Sequence, residues 1–415
     1  MIDKKQHPLA GKLQDCTGCA ACAGACPENA ITMQADEEGF LHSQIDLDKC
    51  NDCGLCRQIC PVNRKKTLAN VHDNAAVRIF PPQVFAAWHL DNDVRRKSSS
   101  GGVFSALADD VFSRGGVVVG AAFDENMVVR HLLIENPSEL HLLRGSKYVQ
   151  SDFSPKLYQQ IEETLKKGRK VLFSGTPCQV AGLRGFLRRE YDELFCCDIV
   201  CHGVPSPLLF SHYIRHNLES GNELNGLSFR DKTTGWKHFS IRQYFSDGTD
   251  KLKSILKDPY MVAFLYDYAL RPSCYACAFT TTRRFGDLTI ADFWGVANKY
   301  PEYDLGDKGT SLLLVNTKKG ATWLDTCRSS LFLGPADLDT AIVGNPMLVR
   351  SSKRPVQRNA FYQDLGKMPF SGIIRKYHLH PPSLFRRLAG RIKRRIVAEI
   401  KRVKTIVNKK EAKSL

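Results

Sequence analysis

The chain has 415 residues, of which 43% are hydrophobic and 25% are charged, and its formal net charge is +16. This length predicts two or three domains, and the composition is ordinary for a globular protein. The absence of any run of about 18 apolar residues excludes a membrane-spanning helix, and the polar N-terminus excludes a secretory signal. The 15 cysteines are therefore expected in the reducing cytoplasm, where metal or redox chemistry is commoner than disulfides.

Eight cysteines form two runs near the N-terminus, CTGCAACAGACP and CNDCGLCRQICP. Both match the C-x2-C-x2-C-x3-C-P spacing of bacterial two-cluster ferredoxins, in which the fourth cysteine of each run binds the other cluster. Zinc knuckles are the alternative, but two complete runs with both prolines favour clusters. The predicted 4Fe–4S ligands are Cys16, Cys19, Cys22 and Cys60 for the first cluster and Cys26, Cys50, Cys53 and Cys56 for the second.

Residues 1–65 are thus predicted to form a ferredoxin domain that relays electrons. Between the two cysteine runs, apolar and polar residues alternate around Gly39, which is typical of a β-hairpin. The next stretch, residues 66–82, is polar and ends in Pro81 and Pro82, and it is predicted to be a linker.

Residues 83–350 alternate between strand-like and helix-like patterns, which predicts an α/β domain with a mixed sheet and at least some parallel strands. The expected strands are 83–90, 117–123, 170–175, 194–201, 288–295 and 311–316. The expected helices are 100–116, 176–190 and 206–218.

Two polar segments of this domain are candidate ligand loops. KSSSGG, residues 97–102, precedes a helix, where exposed amides and the helix dipole suit a phosphate or pyrophosphate. An ordinary serine N-cap explains the same residues equally well. RGSKYVQS, residues 144–151, is not a Walker A loop, because its lysine follows the serine and the first glycine is missing. A surface turn with a solvated lysine is its alternative.

Four further cysteines are candidates for a third site. Cys178 begins a helix and Cys201 follows a strand in neighbouring α/β units, so both are expected at one edge of the sheet. RPSCYACAF adds Cys274 and Cys277 from a loop. Four thiolates suit a third 4Fe–4S cluster or a structural zinc, and a redox dithiol is the third reading. The cluster is favoured because the chain already carries two.

The other three cysteines receive weaker assignments. Cys196 and Cys327 are expected to be small buried hydrophobic residues in a strand and a helix. Cys197 lies four residues before Cys201 and is the alternative to Cys178 as the fourth ligand.

Seven stretches in this order resemble the coenzyme F420 hydrogenase/dehydrogenase beta-subunit family: SSSGGVFSAL, RGSKYVQS, FSGTPCQVAGL, CHGVPSP, FRDKTTGW, RPSCYACAF and GDLTIADFWG. The resemblance extends over residues 1–300 and more weakly to 350. It implies that residues 83–350 bind FAD beside a 4Fe–4S cluster. Plant relatives reduce a chlorophyll intermediate, so the family name does not fix the substrate.

The resemblance also implies roles for individual residues. It strengthens the assignment of Cys178, Cys201, Cys274 and Cys277 as cluster ligands, although Cys178 could instead face the flavin. Asp292 could orient a ligand group or be structural, and His202 is a proton-donor candidate by position alone. The implied FAD contacts are Ser98, Ser99, Ser100, Gly101 and Gly102, and Gly145, Ser146, Lys147, Tyr148, Gln150 and Ser151.

These expectations describe an iron–sulfur flavoprotein oxidoreductase. Electrons pass from a small carrier protein or reduced cofactor through the clusters to FAD and an organic acceptor. The resemblance loosely implies a setting in surface-polysaccharide biosynthesis. Two alternatives are an electron-transfer subunit without a substrate site and an oxidoreductase acting on coenzyme F420.

Residues 351–415 are predicted to be a basic C-terminal tail with an amphipathic helix. Twelve Lys and Arg and only two acids lie between Arg386 and Lys413, around one apolar stripe. This pattern favours an anionic membrane surface, which predicts a peripheral location on its inner face. An acidic protein partner is the main alternative, and nucleic acid is disfavoured because aromatic residues are not interleaved with the charges.

Overall fold

The cysteine-rich N-terminal unit is built around one hairpin. In this computed structural model, residues 13–63, 77–219, 221 and 223–380 are described. Strands β1 (Ile31–Ala35) and β2 (Leu41–Ile45) pair antiparallel, which confirms the predicted hairpin. Gly39 has a φ of 82°, a left-handed conformation that glycine adopts without strain in the hairpin turn. Two short helices, α1 (Ala21–Gly24) and α2 (Leu55–Ile59), follow the first cysteines of the two runs.

The central part of the chain forms a mixed sheet, as predicted, and this sheet has eight strands rather than the six expected. Its strands are β3 (Arg78–His89), β4 (Val117–Phe123), β5 (Val129–Ile134), β6 (Val171–Gly175), β7 (Leu194–Ile199), β11 (Leu288–Asp292), β12 (Ser311–Thr317) and β13 (Leu331–Ala336). They are ordered β13-β3-β12-β11-β7-β6-β4-β5. The four inner strands β11, β7, β6 and β4 run parallel, and the flanking strands are antiparallel to their neighbours.

Helices cover both faces of this sheet and bury its apolar side chains. They are α3 (Asn92–Lys97), α4 (Val103–Ser113), α5 (Leu140–Leu143), α6 (Pro155–Lys166), α7 (Pro177–Leu187), α10 (Lys318–Thr326) and α11 (Leu338–Gly344). Two other helices, α8 (Pro207–Glu219) and α9 (Pro259–Leu265), pack instead in the hydrophobic cluster of Phe229 and Ile241. Within the described ranges, no helix is both long and apolar enough to traverse a bilayer.

Strand β3 corrects the predicted linker. It begins at Arg78 rather than Gln83, so Pro81 and Pro82 lie within a strand. Proline cannot donate to a strand ladder and is tolerated at edges and bulges. The pairing of β3 with β12 shifts register between Arg78 and Gln83, and its pairing with β13 ends at Val84. The prolines therefore occupy an irregular stretch where a backbone donor is not needed.

A second, unpredicted sheet completes the body. Its strands β8 (Leu224–Asp231), β9 (Ser240–Phe245) and β10 (Asp250–Ser254) pair antiparallel. The predicted tail also needs correction, because α12 (Arg358–Leu365) and α13 (Phe370–Lys376) belong to the body. Phe361 and Ile373 are completely buried in the same hydrophobic cluster as Phe40 of the hairpin. The predicted basic helix, residues 386–413, lies outside the described residues.

The N-terminal unit sits directly on helix α7. A Cβ at Gly182 would lie 3.0 Å from Cys19 Sγ, and one at Gly185 would lie 2.4 Å from the Ile59 carbonyl oxygen. Neither position has room for a side chain, so the two glycines allow this close approach. Tyr158 adds a hydrogen bond from its hydroxyl to the Cys19 carbonyl at 2.5 Å.

The hairpin tip is held by a largely buried ion pair. Arg358 donates to both carboxylate oxygens of Glu38, at 2.8 and 2.5 Å, and also to the Leu270 carbonyl at 2.7 Å. The Arg358 side chain is 1% exposed and that of Glu38 is 23% exposed. The ferredoxin-like unit is therefore docked on the body rather than tethered loosely to it.

Candidate electron-transfer site

Four thiols from three segments line one cavity of about 280 Å³ at the carboxyl edge of the parallel strands. Cys178 is the second residue of α7, directly after β6, and Cys201 follows β7. Cys274 and Cys277 belong to the loop around the 3-10 turn Pro272–Ala276. Because β6 and β7 are adjacent and parallel, their carboxyl ends meet at this edge, as the sequence predicted.

The local backbone donates hydrogen bonds to these sulfur atoms. The amide of Val204 lies 3.4 Å from Cys274 Sγ, and that of Phe279 lies 3.4 Å from Cys277 Sγ. The Thr176 hydroxyl caps α7 and lies 3.1 Å from Cys178 Sγ. Such contacts stabilise sulfur that carries negative charge, and hydrogen bonds to cluster sulfurs also tune reduction potential.

Burial disfavours the thiolate form of three of these cysteines, Cys178, Cys201 and Cys274. Burial raises the pKa of Cys178 to about 12 and that of Cys274 to about 11, and the charge of Cys277 adds to both effects. The pKa of Cys201 is also raised, first by burial and then by its three thiol neighbours. Iron bound to the thiolates would compensate this repulsion.

A 4Fe–4S cube takes one thiolate on each of its four irons. Cys178, Cys201, Cys274 and Cys277 supply the four ligands that such a cube requires. In the described part of the chain, no three His, Cys, Asp or Glu side chains group closely enough to chelate one ion.

The alternative ligand Cys197 lies elsewhere. It is buried in β7 within the hydrophobic cluster that contains Phe195, and it does not line the cavity. Cys196 points to the opposite face of the sheet and packs with Phe173. Cys327 is buried directly after α10, so it ends that helix rather than lying within it.

The two N-terminal thiol sets are grouped in the crossed manner that the spacing predicts. The pKa of Cys22 is raised by burial and then by Cys19, Cys16 and Cys60, which places those four thiols together. Cys26, Cys50, Cys53 and Cys56 line a separate shallow pocket. Their roles as ligands stay predictions, and their grouping is what two cubes would need.

The first of these sets faces the body and the second faces outward. The charge of Cys178 contributes to the raised pKa of Cys19, after burial and the nearer thiols, so the first and third sets are neighbours. Cys53, in the second set, is solvent-exposed. The three sets therefore run from the surface through the N-terminal unit to the cavity.

The two predicted flavin segments contact each other. The Ser146 amide donates to Ser99 Oγ at 2.9 Å, and Gly102 begins α4 with a φ of 93°. Arg230 from β8 donates to the Ser99 carbonyl at 3.1 Å, and Lys232 donates to the Ser100 carbonyl at 2.6 Å. The hydroxyls of Ser98 and Ser100 donate to main-chain carbonyls, whereas the Ser99 hydroxyl accepts from Ser146.

A buried donor without a partner suits an anionic ligand at this position. Arg230 is 6% exposed, and its Nε has no hydrogen-bond partner. The rest of its guanidinium is fixed by Asp292, at 2.7 and 2.8 Å. Trp236 donates to the same Asp292 carboxylate at 2.5 Å. A buried cation with one free donor therefore lies beside the backbone at Ser99, and Asp292 is placed to orient Arg230.

Two predicted flavin contacts point in other directions. The Lys147 ammonium donates to the carbonyls of Leu142 and Arg144, and burial lowers its pKa to about 7. Gln150 is 5% exposed, and its amide oxygen accepts from the Leu41 amide at 3.1 Å. The structure therefore assigns Gln150 to the contact with the N-terminal unit and corrects its expected flavin role.

Three other predicted positions have defined surroundings. Tyr148 stacks on Phe264, with its hydroxyl 3.5 Å from an Arg230 nitrogen. Ser151 Oγ pairs with the His131 ring at 2.6 Å. His202 lines the thiol cavity, where its Nε2 lies 2.7 Å from Asp267 Oδ1.

Three cationic residues of these sites were not predicted from the sequence. Arg230 and Lys232 stand in FRDKTTGW, which carried the resemblance without a role for either residue. Arg271 directly precedes Pro272 in the cysteine loop and lines the thiol cavity. Their signal was positive charge inside motifs that carried the resemblance, and Arg271 is the one charged residue of RPSCYACAF.

Family comparisons agree with this arrangement. Residues 84–157 match the N-terminal model of the coenzyme F420 hydrogenase/dehydrogenase beta subunit, and residues 168–339 match its C-terminal model. Together the two matches cover more than half of the chain. The chain belongs to this family. Residues 15–64 match a 4Fe-4S dicluster domain, so this beta-subunit homologue is an iron–sulfur electron-transfer protein.

Curated relatives of this beta-subunit homologue match short segments only. A ferredoxin-type protein NapF of Haemophilus influenzae is 42% identical over 45 residues, which is 11% of this chain and 26% of the relative. A dihydromethanopterin reductase (acceptor) of Methanosarcina mazei is 37% identical over 67 residues, 16% of this chain and 23% of the relative. The chain thus spans about a quarter of the length of these two relatives.

One solved structure also resembles the beta-subunit homologue. It belongs to the F420-reducing [NiFe] hydrogenase complex of Methanosarcina barkeri, with a TM-score of 0.45 and 15% sequence identity. The alignment covers 64% of this chain and 88% of that chain.

Proposed function

We propose that this protein is a flavin-dependent iron–sulfur oxidoreductase. In this proposal, electrons from a small carrier pass through the N-terminal clusters and a third cluster to FAD and an organic acceptor. Bound clusters would move single electrons, and a bound flavin would exchange one or two. The observation that carries the proposal is the shared cavity of Cys178, Cys201, Cys274 and Cys277 beside the first N-terminal thiol set.

The ligand assignments of the proposal follow the three thiol sets. The outer set would receive electrons, because Cys53 is exposed there. The set of Cys16, Cys19, Cys22 and Cys60 would pass them inward. FAD would be held by the backbone around Ser99 and by Arg230, with Lys232 fixing the loop. Lys147 and Gln150 are left out of the flavin site because both are engaged elsewhere.

An electron-transfer subunit is the second candidate. The family description names beta subunits of hydrogenases and dehydrogenases, which favours a chain that works beside a partner holding the substrate site. Action on coenzyme F420 itself is the literal reading of that description. Reduced deazaflavin, a hydride donor, can be added to the anaerobic protein to distinguish these two candidates. Bleaching of bound flavin would favour action on coenzyme F420, and no bleaching would favour the electron-transfer subunit.

The setting in surface-polysaccharide biosynthesis and the membrane-facing tail stay expectations from the sequence. The first comes from the resemblance alone. The second concerns residues 386–413, which lie beyond the described part of the chain. The proposed electron path depends on neither.

Substitution of Lys232 by methionine is expected to weaken FAD binding by about tenfold and to leave iron content unchanged. The Lys232 ammonium donates to the carbonyls of Arg95, Ser100 and Lys308, at 2.6, 2.6 and 2.9 Å, and so pins the Ser98–Gly102 loop. A hydrogen bond to a charged group contributes about 1.5–3 kcal/mol, which is tenfold or more in affinity. Flavin release during dilution, followed by fluorescence, measures the change.

The matched control is Lys251→Met, which removes an exposed lysine of β10 in the small sheet. We expect it to bind FAD as the unaltered protein does. Equal flavin retention in both variants would remove the Ser98–Gly102 loop from the flavin site. Loss of iron in the Lys232 variant would mean that the loop supports the whole body instead.

A further inference from the structure

Arg271 occupies the boundary between the first and third thiol sets. Its side chain is almost completely buried, with the residue 1% exposed, and it lines the thiol cavity. Its Nε donates to the Cys16 carbonyl at 2.7 Å, and its terminal nitrogens donate to Leu41 and Gln150 at 2.9 and 3.2 Å. A guanidinium keeps its charge at every accessible pH, so a permanent cation lies between two thiolate-rich sites.

A second donor meets the same carbonyl oxygen. Ser273 Oγ donates to the Cys16 carbonyl at 3.0 Å. Ser273 is the residue directly before Cys274, whose own amide bonds back to the Arg271 carbonyl at 2.9 Å. The backbone of a predicted first-cluster ligand and that of a predicted third-cluster ligand are therefore joined through one hydroxyl and one guanidinium.

We propose that Arg271 and Ser273 form a junction that couples the first thiol set to the third. Arg271 would stabilise the extra negative charge of either reduced site, and Ser273 links the Cys16 carbonyl to the neighbouring Cys274 through one hydrogen bond. The inference rests on the proposed function, because it requires clusters at both sets. With clusters held at both sets, one electron from the carrier protein would pass from the first site to the third, and no bond or proton would move.

Two substitutions at Arg271 distinguish the effect of its charge from the effect of its packing. Arg271→Met is expected to make the midpoint potentials of both clusters more negative by about 59 mV. For a one-electron couple this shift is about a tenfold change in the equilibrium constant of reduction. Arg271→Lys retains the charge and is expected to keep both midpoints near those of the unaltered protein. Redox titration of the anaerobic full-length protein, followed by electron paramagnetic resonance, reads each cluster without an activity assay.

Ser273→Ala tests the route independently of charge. We expect unchanged midpoints and slower electron transfer from the first cluster to the third after rapid reduction. Arg328→Met, which removes an exposed arginine paired with Asp325, is the control and is expected to change neither quantity. If Arg271→Met loses its clusters on purification, the lysine and alanine variants decide the question.

The outcomes separate this inference from the proposed function. If the protein holds about twelve irons but Arg271→Met leaves the midpoint potentials unchanged, the junction alone is overturned. The same holds if Ser273→Ala does not slow electron transfer between the two clusters. If Arg271→Lys shifts the midpoint potentials as much as Arg271→Met does, Arg271 acts through packing rather than charge, and the junction is also overturned. About eight irons in the unaltered protein would remove the third cluster, and with it both proposals.

Discussion

Replacing Cys274 by serine is expected to lower the iron content from about twelve to about eight per chain, the loss of one 4Fe–4S cluster. Cys274 lines the cavity with three other thiols, and a serine hydroxyl is a poor replacement for a thiolate on iron. The two N-terminal sets keep all eight of their cysteines. Iron and acid-labile sulfide on anaerobically purified protein measure the loss, and paramagnetic resonance shows which signals remain.

Cys327→Ser is the matched control, because it changes a buried thiol that belongs to a hydrophobic cluster with Trp323. We expect it to retain about twelve irons. A Cys274 variant that keeps its full iron content would contradict the ligand assignment. Equal loss in both variants would point to general instability rather than to a missing ligand.

Replacing Asp198 by alanine is expected to lower the free energy of unfolding by about 3–5 kcal/mol. Asp198 and its partner Arg284 are completely buried, 3.0 Å apart. The Asp198 carboxylate also accepts from Thr289 at 2.6 Å and from the Gly286 amide at 2.9 Å. Removal of the carboxylate leaves the buried Arg284 charge without its counter-ion, with only neutral acceptors such as the Ile199 carbonyl at 2.8 Å. It also removes the acceptor of the Gly286 amide.

The same substitution is expected to empty the third site. Asp198 stands three residues before Cys201, and Arg284 stands seven residues after Cys277, so their ion pair fixes two thiol-bearing segments relative to each other. Urea denaturation followed by tryptophan fluorescence gives the stability, and iron analysis gives the occupancy. Asp325→Ala removes an exposed partner of Arg328 and is expected to change both by little, since such surface pairs contribute about 0–1 kcal/mol. Similar stability of both variants would contradict the structural role given to Asp198.

The sequence predicted those elements whose signals are local. The hairpin around Gly39, the parallel strands and the placement of Cys178 and Cys201 at one sheet edge follow from periodicity and strand order. The crossed grouping of the N-terminal thiols follows from the C-x2-C-x2-C-x3-C spacing. In each case a short stretch of sequence carries the whole signal.

Elements that depend on distant partners were missed or misplaced. Pro81 and Pro82 look like a linker in sequence, and only the irregular pairing of β3 with β12 shows why a strand tolerates them. Helix α12 follows a polar, basic stretch, and its place in the body depends on the ion pair of Arg358 with Glu38, 320 residues earlier. Contacts between residues so far apart in the chain produce no periodic pattern in the sequence.

In the candidate sites, too, local signals were predicted from the sequence and contacts between distant residues were not. The thiols were found because cysteine spacing is informative by itself. The choice between Cys178 and Cys197 needed the structure, because alternate side chains of β7 point to opposite faces of the sheet and Cys197 points into the core. Gln150 stood in a motif of the resemblance, and nothing near it in sequence indicates that its amide oxygen accepts from Leu41 and Arg271. Contacts between the N-terminal unit and the body could not be derived from either segment separately.

The central claim is that one chain holds three clusters and a flavin. The direct measurement is iron, acid-labile sulfide and flavin per chain on protein purified without oxygen. The account predicts about twelve irons, about twelve sulfides and one FAD. About eight irons without flavin would contradict it, and would leave a two-cluster ferredoxin unit docked on a body whose four clustered thiols serve another purpose.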